Sequence, residues 1–220
     1  MGWVLDNLGL IGELTLTHMG LSLIPVILGA LLSIPLGWLA HRYPPARGSI
    51  LSVVGIFYTI PSLALFVLLP PLFGFSILSE LNVIVALVIY AIAIMVRSVS
   101  DAFSSIDPGA LRAATALGYG PWQRFFHVEL PLAGPVLLAG LRVVSVSTVS
   151  LVTVGVLVGV KSLGYFFTDG FQRRIESEIL TGIVMTLVVA LIFDLALLAL
   201  GRAVMPWSLL ATKRLTQEAS

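Results

Sequence analysis

Apolar residues along this chain fall into long unbroken runs rather than one-sided helical stripes. The runs cover approximately residues 19–40, 49–69, 81–99, 136–160 and 179–204. Each approaches or exceeds the roughly 20 residues that cross a hydrocarbon core. The pattern predicts an all-α integral membrane protein of about five transmembrane helices in a single domain spanning 1–220. The breaks between runs are sharp. His41-Arg42-Tyr43-Pro44-Pro45 stops the first, and Pro70-Pro71 is expected to end the second. Pro61 lies inside the second run and predicts a kink in one continuous span.

Composition strengthens this reading. Hydrophobic residues make up 58% and charged residues 10% of the 220, with a mean hydropathy of +1.07; a soluble domain of this length carries far more charge. The first 18 residues contain no Lys or Arg, and the apolar run that follows is too long for a signal-peptide core, so the N-terminus is expected to stay on the mature protein. A net charge of +1 gives no reason to expect nucleic-acid binding.

The 12 basic residues act instead as orientation signals. Arg42, Arg47, Arg97, Arg112, Arg124, Arg142, Arg202, Lys213 and Arg214 fall on one side of a five-span topology, and Lys161, Arg173 and Arg174 on the other. Nine against three places the N-terminus outside and the long loop and C-terminus in the cytoplasm. Trp3 and Trp207 then sit near opposite interfaces.

The loop of about 100–135 alternates helix signals with breakers. Ser105 or Asp107 can cap a helix with Pro108 in its first turn, and Gly118 and Gly120 end it. Pro121 starts a second short helix, with Trp122, Phe125 and Phe126 as its apolar face. Such a hairpin is suited to docking against another protein. It resembles the cytoplasmic loop of ABC importer permeases, whose pattern is Glu-Ala-Ala, three residues, Gly, nine residues, Ile-x-Leu-Pro. Ala113-Ala114, Gly118 and Val128-Glu129-Leu130-Pro131 match that spacing, with Val128 for Ile and Arg112 where the pattern has Glu. Tyr58-Thr59-Ile60-Pro61-Ser62-Leu63-Ala64-Leu65, Asp107-Pro108, Gly120-Pro121-Trp122 and Val128-Glu129-Leu130-Pro131-Leu132 are together similar to permeases for osmoprotectants such as glycine betaine, choline and carnitine.

The resemblance implies a type I ABC importer permease fold in a bacterial or archaeal cell membrane. It also implies a second permease copy or paralogue, two cytoplasmic ABC ATPases and an extracytoplasmic binding protein as partners. Under it, Asp107, Arg112, Ala113, Ala114, Gly118 and Pro131 form the ATPase-coupling loop. A methionine-type permease is the neighbouring alternative, and an ATP-independent secondary carrier the alternative from another class. The latter is expected to show internal repeats or several embedded charges.

Candidate chemistry is sparse otherwise. No Walker A sequence is present, so ATP is expected on partner subunits and no cofactor on this chain. Gly155 and Gly159 have the spacing of a close helix contact. His18, His41 and His127 lack metal-ligand spacing, and there is no cysteine. Polar residues inside spans are costly against lipid and so face protein or water. Tyr58, Thr59, Pro61 and Ser62 around the second-span proline, and Ser145, Thr148 and Thr153 on one side of the fourth span, are the candidates for a translocation path. Local backbone bonding is the competing role for each hydroxyl. Asp194, alone inside the fifth span, is expected to pair with another helix or to serve transport. Tyr165, Phe166, Phe167 and Phe171 beside Arg173 and Arg174 suggest an interfacial helix or a surface for the binding protein.

Overall fold

The computed structural model describes residues 2–207, and among these every regular element is helical. Lys213 and Arg214, used above for orientation, lie outside the described residues. A short helix α1 (Gly2–Asp6) precedes α2 (Leu8–Arg42). At 35 residues, α2 is about 52 Å long by its rise of ~1.5 Å per residue. It therefore begins well before the apolar run from Met19 by which the sequence marks the first span.

The second run bends at Pro61 far more sharply than a simple kink. It divides into α3 (Pro44–Thr59) and α4 (Ser62–Phe73), whose axes differ by 104°. Ile60 and Pro61 between them have extended ψ angles of 127° and 137°. Proline removes an N–H and drives the preceding residue out of the helical region, so one helix ends and another starts. Pro70 and Pro71 do not stop α4, which continues to Phe73 and ends on Gly74 at φ 75°. Pro70 has no N–H for the carbonyl of Phe66, one turn back. Asn82 supplies the missing donor, its Nδ2 lying 2.9 Å from Phe66 O and 3.1 Å from Ile77 O.

Helix α5 (Glu80–Ser104) is the centre of the bundle, with 56% of its most apolar stretch buried against 6% for α10 (Glu176–Val204). Its broadest contact is with α2, where small residues let the backbones approach. A Cβ on Gly29 would overlap that of Ala91, and one on Gly37 would overlap Val99.

After α6 (Pro108–Ala116), α7 (Pro121–Arg124) runs without a break through a π-helical turn (Phe125–Glu129) into α8 (Leu130–Val152) and a 3₁₀ turn (Thr153–Val158). The second hairpin helix is thus the root of a span that starts before Val136, not a separate element. Gly159, at φ 84°, closes the 3₁₀ turn in the left-handed region and packs tightly on Leu78, while Gly155 packs on Val83. Helix α9 (Tyr165–Arg173) and α10 complete the fold.

Candidate functional site

Two constructions stand out, one at an end of the bundle and one within it. At the end, Asp107 caps α6 by accepting the Gly109 N–H at 2.8 Å; Ser105 turns back to the Ala102 carbonyl instead. Gly118 leaves α6 with φ 85°, a conformation that favours glycine. The Gly120 N–H donates to Gln123 Oε1 at 3.2 Å, fixing the start of α7. Ala114 is buried beneath the hairpin, whereas Arg112 and Ala113 are exposed. Pro131 lies in the first turn of α8, directly after the π-helical turn, where its missing N–H interrupts the hydrogen-bond ladder of the continuous helix.

Arg124 and Glu129 tie this hairpin to the spans. Arg124 donates through Nε to Glu129 Oε1 at 2.8 Å and through Nη1 to Thr115 Oγ1 at 3.3 Å. Glu129 is 7% exposed, and its Oε2 accepts from Trp38 Nε1 at 3.1 Å. Trp38 meets Phe125 edge to face, and Phe125 stacks on Phe103. One ion pair inside an aromatic cluster therefore joins α6, the π-helical turn and the ends of α2 and α5. Trp38 and Phe103 as its partners were not legible in the sequence, because both contacts are remote along the chain.

Within the bundle, the break at Ile60-Pro61 opens a cavity of about 590 Å³. Tyr58, Thr59, Pro61 and Ser62 line one side, Tyr90 and Ile94 of α5 the back, and Ser147 and Ser150 of α8 the other side. The Tyr90 hydroxyl donates to the Ile60 carbonyl left at the break, and Tyr58 meets Tyr90 edge to face at 6.5 Å. A neighbouring cavity of about 350 Å³ shares Tyr58 and Ile94 and reaches Arg97 and Ser98. The lining is aromatic and hydroxylic, and no carboxylate belongs to it.

The candidates from α8 separate by face. Ser145 and Thr148 are 0% and 2% exposed and lie against neighbouring helices; the cavity is met by Ser147 and Ser150. Thr153 turns its hydroxyl onto the Ser150 carbonyl at 2.6 Å, and Thr59 does the same to Ile56 at 2.7 Å. Polar spacing identifies a face of a helix but not the direction in which that face points, and Tyr90 gave no local signal.

Asp194 has a partner. Arg142 donates to it through Nε at 2.6 Å and Nη2 at 2.8 Å, a bidentate pair between α8 and α10. Arg142 thus lies in the interior of α8, within the apolar run beside the loop. At the opposite end of the bundle from the hairpin, Trp3 packs edge to face on the fully buried Phe166 of α9, while Phe171 is exposed. Asp169 lies 2.9 Å from Arg173. Burial opposes the charge of Asp169, but the hydrogen bond from Arg173 helps outweigh it, and the carboxyl is held below its usual range.

A bundle of apolar helices, broken around a polar-aromatic cavity and carrying a rigid hairpin at one end, defines a membrane-spanning transport subunit. Residues 26–207 match the family described as binding-protein-dependent transport system inner membrane component. The chain belongs to this family, whose members are the permease subunits of ABC importers. It is 31% identical over 195 residues to the osmoprotectant import permease protein OsmW of Salmonella typhimurium, covering 87% of this chain and 90% of that one. It is also 31% identical over 208 residues to the choline transport system permease protein OpuBB of Bacillus subtilis, covering 93% and 94%. A chain of the methionine ABC transporter MetNI, solved in inward-facing conformations, superposes with a TM-score of 0.82 over 90% of this chain and 98% of that one. At 22% identity this last likeness establishes the fold alone.

Proposed function

We propose that this permease passes quaternary-ammonium osmoprotectants such as glycine betaine, choline or carnitine through the cavity at the α3–α4 break. The observation that carries the reading is the composition of that cavity. A quaternary ammonium has no N–H to donate, so it makes no hydrogen bond through its nitrogen and is recognised well by aromatic faces. Tyr58 and Tyr90 supply such faces, and the lining hydroxyls and backbone suit the polar remainder of the solute. The names of the two relatives, an osmoprotectant and a choline permease, support the same class.

Tyr58, Thr59, Pro61 and Ser62 then form the path, with Ser147 and Ser150 on the facing wall, while Ser145 and Thr148 hold α8 against its neighbours. Two permeases, identical or paralogous, enclose the complete path. An external binding protein delivers solute to the α9 end, and two ATPases engage the hairpins. In this arrangement the N-terminus is outside and the hairpin and C-terminus are cytoplasmic. Asp107, Arg112, Ala113, Ala114, Gly118 and Pro131 present the coupling surface, and Arg124–Glu129–Trp38 carries its movement into α8 and α2.

The test is uptake of labelled choline and glycine betaine by proteoliposomes holding the permease, its ATPase and its binding protein. Tyr58→Ala is expected to lower uptake at least about tenfold, with binding-protein affinity unchanged. Uptake that persists with a disabled ATPase overturns the importer reading; normal uptake by Tyr58→Ala overturns the path.

A further inference from the structure

The hairpin contains one charge that the fold does not use. Asp107 is committed to the α6 cap, and Glu129 and Arg124 to each other. Arg112 is exposed on α6 and has no ion-pair or hydrogen-bond partner among the described residues. It borders a cleft of about 410 Å³ between α6 and the last residue of α7, whose other walls are Leu111, Thr115, Ala116 and Arg124. Two guanidinium groups and one hydroxyl therefore face a space with no lining carboxylate. Around it, Leu117 is 78% exposed, Trp122 72% and Phe126 56%. A cationic centre inside an apolar, aromatic surround is the composition of a protein-docking surface built to anchor an acidic side chain.

We propose that this cleft receives a carboxylate side chain of the ATPase subunit, held between Arg112 and Arg124. The proposal rests on the hairpin being the ATPase seat and adds the chemistry of the contact. Arg124 is suited to be shared. A guanidinium has five N–H donors, and two of Arg124's are engaged, by Glu129 and by Thr115. The remaining donors can bind the incoming carboxylate while the link to Glu129 stays in place. Glu129 in turn holds Trp38, so the visiting charge is connected through one side chain to the root of α8 and the end of α2. Pulling on the carboxylate pulls on two spans at once. Arg112 supplies the second arm and sets the sign of the partner: an ATPase presenting a basic residue at this place is repelled.

The experiment uses the assembled complex in nanodiscs, measuring affinity of the ATPase for the permease and ATP hydrolysis stimulated by the binding protein. Arg112→Glu is expected to weaken ATPase affinity roughly tenfold or more. Arg112→Lys is expected to keep most of it. Acidic-to-arginine replacement at one position of the ATPase surface should restore Arg112→Glu. Rising salt should weaken the wild-type complex but not the Arg112→Glu complex. Because Arg112 is exposed and unpaired, the thermal stability of the variant alone is expected to match wild type. Unchanged affinity and salt response in Arg112→Glu overturn the proposal. So does an effect that vanishes in nanodiscs of purely zwitterionic lipid, which assigns the cleft to an anionic headgroup. Cysteine cross-linking from Leu117→Cys separates the two levels. No cross-link to the ATPase overturns the hairpin as its seat. A cross-link together with an indifferent Arg112→Glu overturns the carboxylate contact alone.

Discussion

Helix α2 carries Pro25 and Pro35 and runs unbroken, whereas the chain at Pro61 turns by 104°. An interior proline costs a helix about 3 kcal/mol in either place. The difference lies in what surrounds it. Eleven residues of α2 are buried, Pro25 among them, and its glycines seat it directly on α5. None of the residues of α3 is buried. In a bilayer, where lipid is as apolar as leucine, helices are held by close packing rather than by escape from water. Packing offsets the proline penalty in α2; in α3 nothing does, and the backbone bends and opens the Tyr58–Tyr90 cavity. Pro70 is a third case: buried like Pro25, it leaves its helix unbroken, and Asn82 of the neighbouring α5 replaces the donor that the proline lacks.

The largest effect is expected from removing the packing that keeps α2 straight. Gly29→Leu places a branched side chain where even a Cβ overlaps Ala91, and should cost more than about 3 kcal/mol. Reversible unfolding in mixed detergent micelles measures it, and wild-type stability would show that α2 owes its continuity to something other than α5. Next comes Pro61→Ala, which restores the N–H and frees Ile60 to become helical. Spin labels at positions 51 and 67 should move apart as α3 and α4 align, and uptake should fall about tenfold with the path closed. An unchanged label distance would assign the turn to tertiary contacts instead of the proline. The smallest is Asn82→Ala, which leaves the Phe66 carbonyl buried without its donor and should destabilise by about 1–3 kcal/mol. A neutral outcome would mean that α4 tolerates Pro70 without help.

These cases also mark how far the sequence could be read. The runs of apolar residues locate the spans because a length of roughly 20 residues is a property of the membrane, not of the fold. Asp107, Pro108, Gly118 and Pro121 are legible because caps and turns are decided within a few residues. The bend at Pro61 was legible too, but not its size, since that depends on the burial of α3. Nor was the choice of Ser147 and Ser150 over Ser145 and Thr148, which depends on where α5 lies relative to α8. The Arg124–Glu129 contact spans five positions, whereas that of Glu129 with Trp38 spans 91, beyond the reach of any local signal.

The Arg142–Asp194 pair has a consequence for how the protein is made. Its two members are 52 positions apart, on spans that emerge from the ribosome one after the other. Each charge alone costs about 2.5–3.5 kcal/mol at the centre of an inserting helix. Until α10 has been synthesised, α8 holds an arginine whose partner does not yet exist. The low-cost course is for the insertion machinery to retain α8 beside its protein-lined gate and release it into lipid together with α10, as a neutralised hairpin. The least buried of the four long apolar helices is then also the one whose arrival completes membrane integration.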